Sequence, residues 1–373
     1  MAESSLPRLL LIGLLVGAVS GVGAVFFFKG IELGSHILLN NILGYRYPTE
    51  GLGFADAAAW TPPETIWLIL PILIIGALIS GLIVWKFAPE AEGHGTDAAL
   101  KAYHGDGKIR WRVPFVKALS SIITISSGGS AGCEGPTAQI SAGFGSILAD
   151  VMKLSARERR IAIAVGIGGG VGAIFKAPLG GAILAAEIKF RIPKFLKPVI
   201  GAGIIGLLII ILAYISPETL LVGVGCLGTG YGFVQLALYN LLPFTVLLLL
   251  PFVKILATAL TIGSGASGGV FAPGLSVGGF LGGALGLGLH LIMPEIVGAS
   301  SIPVFVIIGM IAVFGGVSHA PVAVLLMVLE MTGSFTLAIP AVIAVTAASI
   351  LLKDHTIFKE HRISRVKNRK PDE

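Results

Sequence analysis

Glu134 is the residue of this sequence with the clearest chemistry to do. It stands in a Gly/Ser-rich cluster that ends in proline, Ser126-Ser127-Gly128-Gly129-Ser130-Ala131-Gly132-Cys133-Glu134-Gly135-Pro136. Proline is favoured in the first turn of a helix, where its missing N–H is not needed. Pro136 is therefore expected to open a helix, with the N–H groups of Glu134 and Gly135 free just ahead of it. A helix N-terminus carries about half a positive charge and holds anions through such groups. An ionised carboxylate in the same place competes with a free anion for those donors, and protonation removes the attraction. A second cluster, Gly263-Ser264-Gly265-Ala266-Ser267-Gly268-Gly269-Val270-Phe271-Ala272-Pro273, repeats the pattern without an acid and is expected to free the N–H groups of Val270 and Phe271. Two such ends aimed at one point make an anion site with no fixed cation. Small residues also serve close helix packing, but their recurrence in a repeat favours the site.

The elements that must hold these clusters recur as well. Phe175-Lys176-Ala177-Pro178-Leu179 leads in nine residues from its proline to Glu187, and Ser318-His319-Ala320-Pro321-Val322 leads in nine to Glu330. Each copy follows a Gly-rich apolar run, Gly166 to Gly172 and Gly309 to Gly316. Two similar halves in a very apolar chain point to a transporter whose site lies between the repeats. Of the 373 residues 55% are hydrophobic and 12% charged, and mean hydropathy is +0.93, where a soluble domain has about 25% charged residues. The chain is an all-α polytopic membrane protein on this reading. Backbone that leaves a helix at membrane depth must be buried in protein or line a wet cavity, so broken, tilted helices are expected around the clusters.

The boundaries follow the punctuation. Residues 7–38 and 65–88 read as two long helices around a loop from Gly44 to Pro63. The first repeat spans about 7–197 and the second about 198–358, all within one transmembrane domain, and 359–373 form a short basic tail. The net charge of +6 does not mark a nucleic-acid surface. Its cations cluster in a few loops and beyond Lys353, whereas none lies between Pro198 and Pro251. That asymmetry is the positive-inside signal; it places both termini in the cytoplasm and excludes nucleic acid as a partner. Glu3 is wrong for a basic signal-peptide n-region, so the run from Leu9 is expected to be a retained first span. Cys133 and Cys226 form neither a metal framework nor a disulfide scaffold and are expected as packing residues. No cofactor motif is present.

Gly93-His94-Gly95, Gly132-Cys133-Glu134-Gly135-Pro136 and Gly269-Val270-Phe271-Ala272-Pro273 resemble, in order and spacing, the three anion-site motifs of the CLC chloride channel and transporter family. Their usual forms there are Gly-Ser-Gly-Ile-Pro, Gly-Arg/Lys-Glu-Gly-Pro and Gly-x-Phe-x-Pro. The resemblance extends through Lys86-Phe87-Ala88-Pro89-Glu90-Ala91, Trp111-Arg112-Val113-Pro114 and Leu329-Glu330-Met331-Thr332. It implies a CLC-type inverted repeat and a homodimer with one pore per subunit, in the plasma membrane of a prokaryote. It also implies that Glu134 is the gating glutamate, and that His94, Gly95, Gly135, Val270 and Phe271 lie at the anion.

The departures from the family pattern bear on mechanism. His94 stands where a serine hydroxyl usually meets chloride, Asp97 replaces the motif's proline, and Phe358 stands where a tyrosine hydroxyl is usual. Ile188 occupies the position of the internal glutamate of proton-coupled members. The resemblance thus implies chloride/proton antiport with loose coupling, or else passive conduction through a voltage- or pH-gated chloride channel. An intramembrane hydrolase is the remote alternative: Gly93-His94-Gly95-Thr96-Asp97 approaches a membrane aspartyl protease signature, but Thr96 breaks the spacing. The required acid partner would have to be Asp150, beside Lys153. A purely structural scaffold would have no use for an ionisable Glu134 at depth.

Overall fold

The computed structural model of the chain describes residues 6–45, 48, 51, 53–63, 65–175, 194–318 and 320–351. The described residues are almost entirely helical. Helix α1 (Leu6–Ser35) buries Ile12, Val16, Ser20 and Phe27 along one face and leaves Leu14, Val22 and Phe26 exposed. A helix apolar on its outer face as well belongs in lipid. It runs on through a wider, π-helical stretch, His36–Ile42. The loop expected after it contains a short helix, α2 (Phe54–Ala58), too brief to have a readable period.

Helix α3 (Ile69–Phe87) stops where Pro89 disfavours helical geometry at Ala88. There follow α4 (Thr96–His104), α5 (Arg112–Ser126), α6 (Glu134–Val151), α7 (Ala156–Phe175), α8 (Lys197–Ile215), α9 (Pro217–Gly225), α10 (Tyr231–Leu238), α11 (Phe244–Ile262), α12 (Phe271–Ile292), α13 (Ile302–Ser318), α14 (Pro321–Thr332) and α15 (Ala338–Leu351). Among the described residues, six stretches are long and apolar enough to cross a membrane: Leu11–Ile42, Ile66–Phe87, Lys197–Ile215, Phe244–Ile262, Phe271–Ile292 and Ala299–Ser318. Others are short. Pro321 opens α14 and Glu330 lies in its last turn. The other copy of that phrase, from Lys176 to Glu187, lies outside the described residues, as does His319.

The two halves are built alike. At one constant offset, Lys117 on α5 matches Lys254 on α11, Ser121 matches Thr258, Thr124 matches Thr261, Ser130 matches Ser267, Gly132 matches Gly269 and Pro136 matches Pro273. The contacts obey the same symmetry. Ser121 Oγ and Ser267 Oγ share a hydrogen bond of 2.8 Å, and their counterparts Thr258 Oγ1 and Ser130 Oγ share one of 2.9 Å. Each half thus reaches into the other through buried and half-buried hydroxyl pairs, bonds that an apolar environment makes costly to leave unmade.

Glycines set the approach of the helices behind the clusters. Helix α6 packs on α7 as α12 packs on α13. A Cβ added at Gly145 would lie 2.6 Å from the carbonyl oxygen of Ala162, and one at Gly282 would run into that of Phe305. Because the obstruction is backbone, it cannot rotate away. Gly282→Ala is expected to cost about 1–3 kcal/mol, read as a lower thermal midpoint of the purified protein. Gly13→Ala, where an added Cβ meets nothing within 4 Å, should leave the midpoint in place.

Candidate anion-transport site

The two clusters meet back to back. Gly132 N–H donates to the Gly269 carbonyl and Gly269 N–H to the Gly132 carbonyl, both at 2.5 Å, as a single antiparallel bridge. Such a bridge has local two-fold geometry, so the helices that start just after it, α6 and α12, present their N-termini to one another. Neither residue could carry a side chain: a Cβ at Gly269 would lie 2.9 Å from Gly135 N, and one at Gly132 would lie 3.1 Å from Ala272 N. The prolines sit at the third helical position of each helix, so the free N–H groups belong to the residues just ahead of them.

Glu134 is the first residue of α6, and only 3% of it is exposed. Its Oε1 accepts a hydrogen bond from the Tyr231 hydroxyl at 3.1 Å, and its Oε2 lies 3.4 Å from Ala272 N on α12. The carboxylate thus bridges from its own helix to the N-terminus of α12 and the start of α10. Val270 caps α12 through its backbone, and Phe271 opens the helix with its ring edge-on to Phe314 at 4.5 Å between centroids. Their side chains pack while their backbone faces the clusters. On α12 the N–H of Ala272, the residue after Phe271, lies beside the carboxylate.

The third motif closes in from α4. Gly95 adopts φ +88°, and a Cβ there would meet Gly135 O at 2.8 Å, Gln139 Oε1 at 3.0 Å and Lys117 Cε at 3.0 Å. A Cβ on Gly135 would run into the His94 carbonyl oxygen. His94 and Gly95 therefore press backbone to backbone against Gly135, and three of the sequence motifs converge. The His94 side chain is 10% exposed, with Nε2 3.5 Å from Asp97 Oδ2, an ion pair only when the ring is protonated. Phe358 and Ile188 lie outside the described residues.

Two lysines that the sequence reading did not single out support this arrangement, both with no exposed surface. Lys117 Nζ donates to the carbonyls of Ala91 at 3.1 Å and Gly93 at 2.5 Å. Its counterpart Lys254 donates to those of Cys226 at 3.0 Å, Leu227 at 3.2 Å and Gly228 at 2.7 Å. Each ammonium ties down the loop that leads into a short helix, α4 or α10. The loops themselves correspond, Gly93-His94-Gly95-Thr96 with Gly228-Thr229-Gly230-Tyr231, and Gly230 repeats the left-handed φ of Gly95 at +90°. The shared Gly-x-Gly spacing was a sequence signal for the second turn, though not for the direction of the Tyr231 hydroxyl.

At the other end of the first loop, Glu90 holds Arg110 through paired hydrogen bonds. The Arg110 guanidinium keeps the Glu90 carboxyl below its usual range. The pair therefore steadies the loop at and above the usual carboxylate range and releases it only as pH falls below that range, through the lowered value. Being exposed, it contributes little to overall stability.

Residues 76–195 and 188–353 match the family model described as voltage gated chloride channel. The chain belongs to the CLC chloride channel and transporter family. This CLC protein is 28% identical to the H(+)/Cl(-) exchange transporter ClcA of Vibrio cholerae, across 97% of its own length and 90% of the relative's. Its fold matches that of a slow cyanobacterial Cl-/H+ antiporter with TM-score 0.69 at 23% identity, over 94% of this chain and 95% of the other. It also matches a CLC-type fluoride/proton antiporter with TM-score 0.68 at 17% identity, over 96% and 100%. The all-α membrane architecture expected from the sequence is therefore the CLC fold, and anion transport is its family activity. The family is one of transporters and channels rather than hydrolases, and Asp150 is engaged by Arg159 at 2.5 Å.

Proposed function

We propose that this CLC protein exchanges chloride for protons across the membrane, with Glu134 as the gate and with loose coupling. The position of the Glu134 carboxylate carries the proposal. It is nearly buried and sits between the N-termini of two facing helices. Backbone N–H groups there suit a halide as well as they suit a carboxylate oxygen. When Glu134 is ionised it occupies the anion's place. Protonation turns an acceptor into a neutral group with no claim on the helix dipoles, and the anion takes over.

Chloride is supported by the exchange transporter from Vibrio cholerae, which is similar over nearly the full chain. The fold alone does not select the halide, since a fluoride/proton antiporter shares it. His94, Gly95, Gly135, Val270 and Phe271 line the anion's path on this reading, with Phe358 contributing no hydroxyl. A homodimer with one pore per subunit and both termini in the cytoplasm completes the proposal.

Ile188 favours a second reading, passive conduction gated by Glu134, because an aliphatic side chain cannot hand on a proton. Reversal potentials in liposomes under crossed chloride and proton gradients separate the two. The expected result is a proton flux that is present but smaller per anion than in a tightly coupled exchanger. A reversal potential that ignores the proton gradient would establish passive conduction. A tight, fixed stoichiometry would overturn loose coupling and demand a proton route that does not pass through residue 188.

A further inference from the structure

We propose that Tyr231 supplies the side-chain hydroxyl of the anion site, a role moved to the second repeat because the first-repeat motif carries His94. The proposal rests on the reading of Glu134 as the gate. On this proposal the two carboxyl oxygens of Glu134 stand where the anion would lie. One oxygen is held by the Tyr231 phenol and the other lies beside a backbone N–H of α12. A hydroxyl donor and a helix N-terminus facing one point are the chemistry that a halide needs once the carboxylate withdraws.

The phenol is built into place. Tyr231 is 9% exposed and is the first residue of α10. The chain ahead of it is pinned by Lys254 on three successive carbonyls, and Ser276 Oγ on α12 shares its one proton between the carbonyls of Ala272 at 2.8 Å and Thr229 at 3.2 Å. A Cβ on Gly230 would meet Ser276 Oγ at 2.6 Å and Lys254 Cε at 3.1 Å, so the turn approaches α12 and α11 as closely as backbone allows. This loop is the repeat counterpart of Gly93-His94-Gly95-Thr96. The structure therefore holds two versions of one turn, and the version from the second repeat delivers an O–H to the carboxylate. Among the described residues, the other ionisable groups around the site are Cys133 beside Glu134, His94 and Asp97 at α4, Glu92 in the loop before it, Lys117 on α5, and Lys254 on α11 with Cys226 against it.

Tyr231→Phe removes the hydroxyl and little else. With the gate deleted as Glu134→Ala, calorimetric titration with sodium chloride should show about tenfold weaker binding when Tyr231→Phe is added, the equivalent of one lost hydrogen bond to an ion. With Glu134 present, Tyr231→Phe should move the pH midpoint of chloride flux upward by about one unit, because the lost bond favoured the ionised carboxylate. A monofluorinated tyrosine at 231, a stronger donor of the same shape, should move it downward. Equal chloride affinity with and without Tyr231→Phe in the Glu134→Ala protein would overturn the proposal, as would a midpoint that neither substitution moves. Failure of the gate reading looks different: Glu134→Ala alone would then keep the wild-type pH profile.

Discussion

Replacing Glu134 with Gln should preserve or raise anion flux in proteoliposomes and flatten its dependence on pH. The amide has the shape of the protonated acid and carries no charge, so it cannot compete with a halide for the N–H groups at the start of α12. In the wild-type protein the carboxylate is held from two sides, by the Tyr231 hydroxyl and near Ala272 N. Each charge-assisted hydrogen bond to it is worth about 1.5–3 kcal/mol. Removing the charge thus shifts the contest between side chain and ion by well over a factor of ten. Flux measured between acid and alkaline pH checks this. A Glu134→Gln protein whose flux still rises with acidity in the wild-type manner would remove Glu134 from the gate.

Lys254→Met should destabilise the protein by about 3 kcal/mol and depress transport even where the protein still folds. The ammonium, with no exposed surface, donates to three carbonyl oxygens. An apolar side chain of similar length removes all three bonds, and losing partners of buried acceptors is the costly outcome. The burial of a charged side chain is itself unfavourable, which offsets part of the loss and keeps the expected figure below the sum over three bonds. The local consequence matters more for function. Without Lys254 the turn from Cys226 to Gly230 loses its anchor, and Tyr231 loses its fixed position at Glu134. Thermal midpoints and chloride flux should fall together for Lys254→Met, while Lys254→Arg, which keeps the donors, should retain more of both. A Lys254→Met protein with wild-type stability would show that the three carbonyls find other partners.

Sequence alone determined the environment, the repeat and the motifs, because these depend on residue type and spacing. Long apolar stretches can satisfy their backbone in lipid only as helices, so the spans near 7–38 and 65–88 were legible to within a few residues. The Pro-terminated clusters announced helix starts because proline and glycine constrain the backbone locally. What faces what was not legible. The Gly132–Gly269 bridge joins residues far apart in the chain, and nothing in either cluster encodes its partner until the halves pack. The lysines on α5 and α11 read as ordinary cations in sequence. Only the fold shows that each lies fully buried on the carbonyls of a loop in its own half. Tyr231 is the sharpest case. An aromatic residue in an apolar stretch is usually packing, and its hydroxyl acquires a role only because Lys254 and Ser276 hold its turn against α12. A hydrogen bond depends on a few tenths of an ångström and a direction, which composition and spacing do not carry and tertiary packing does.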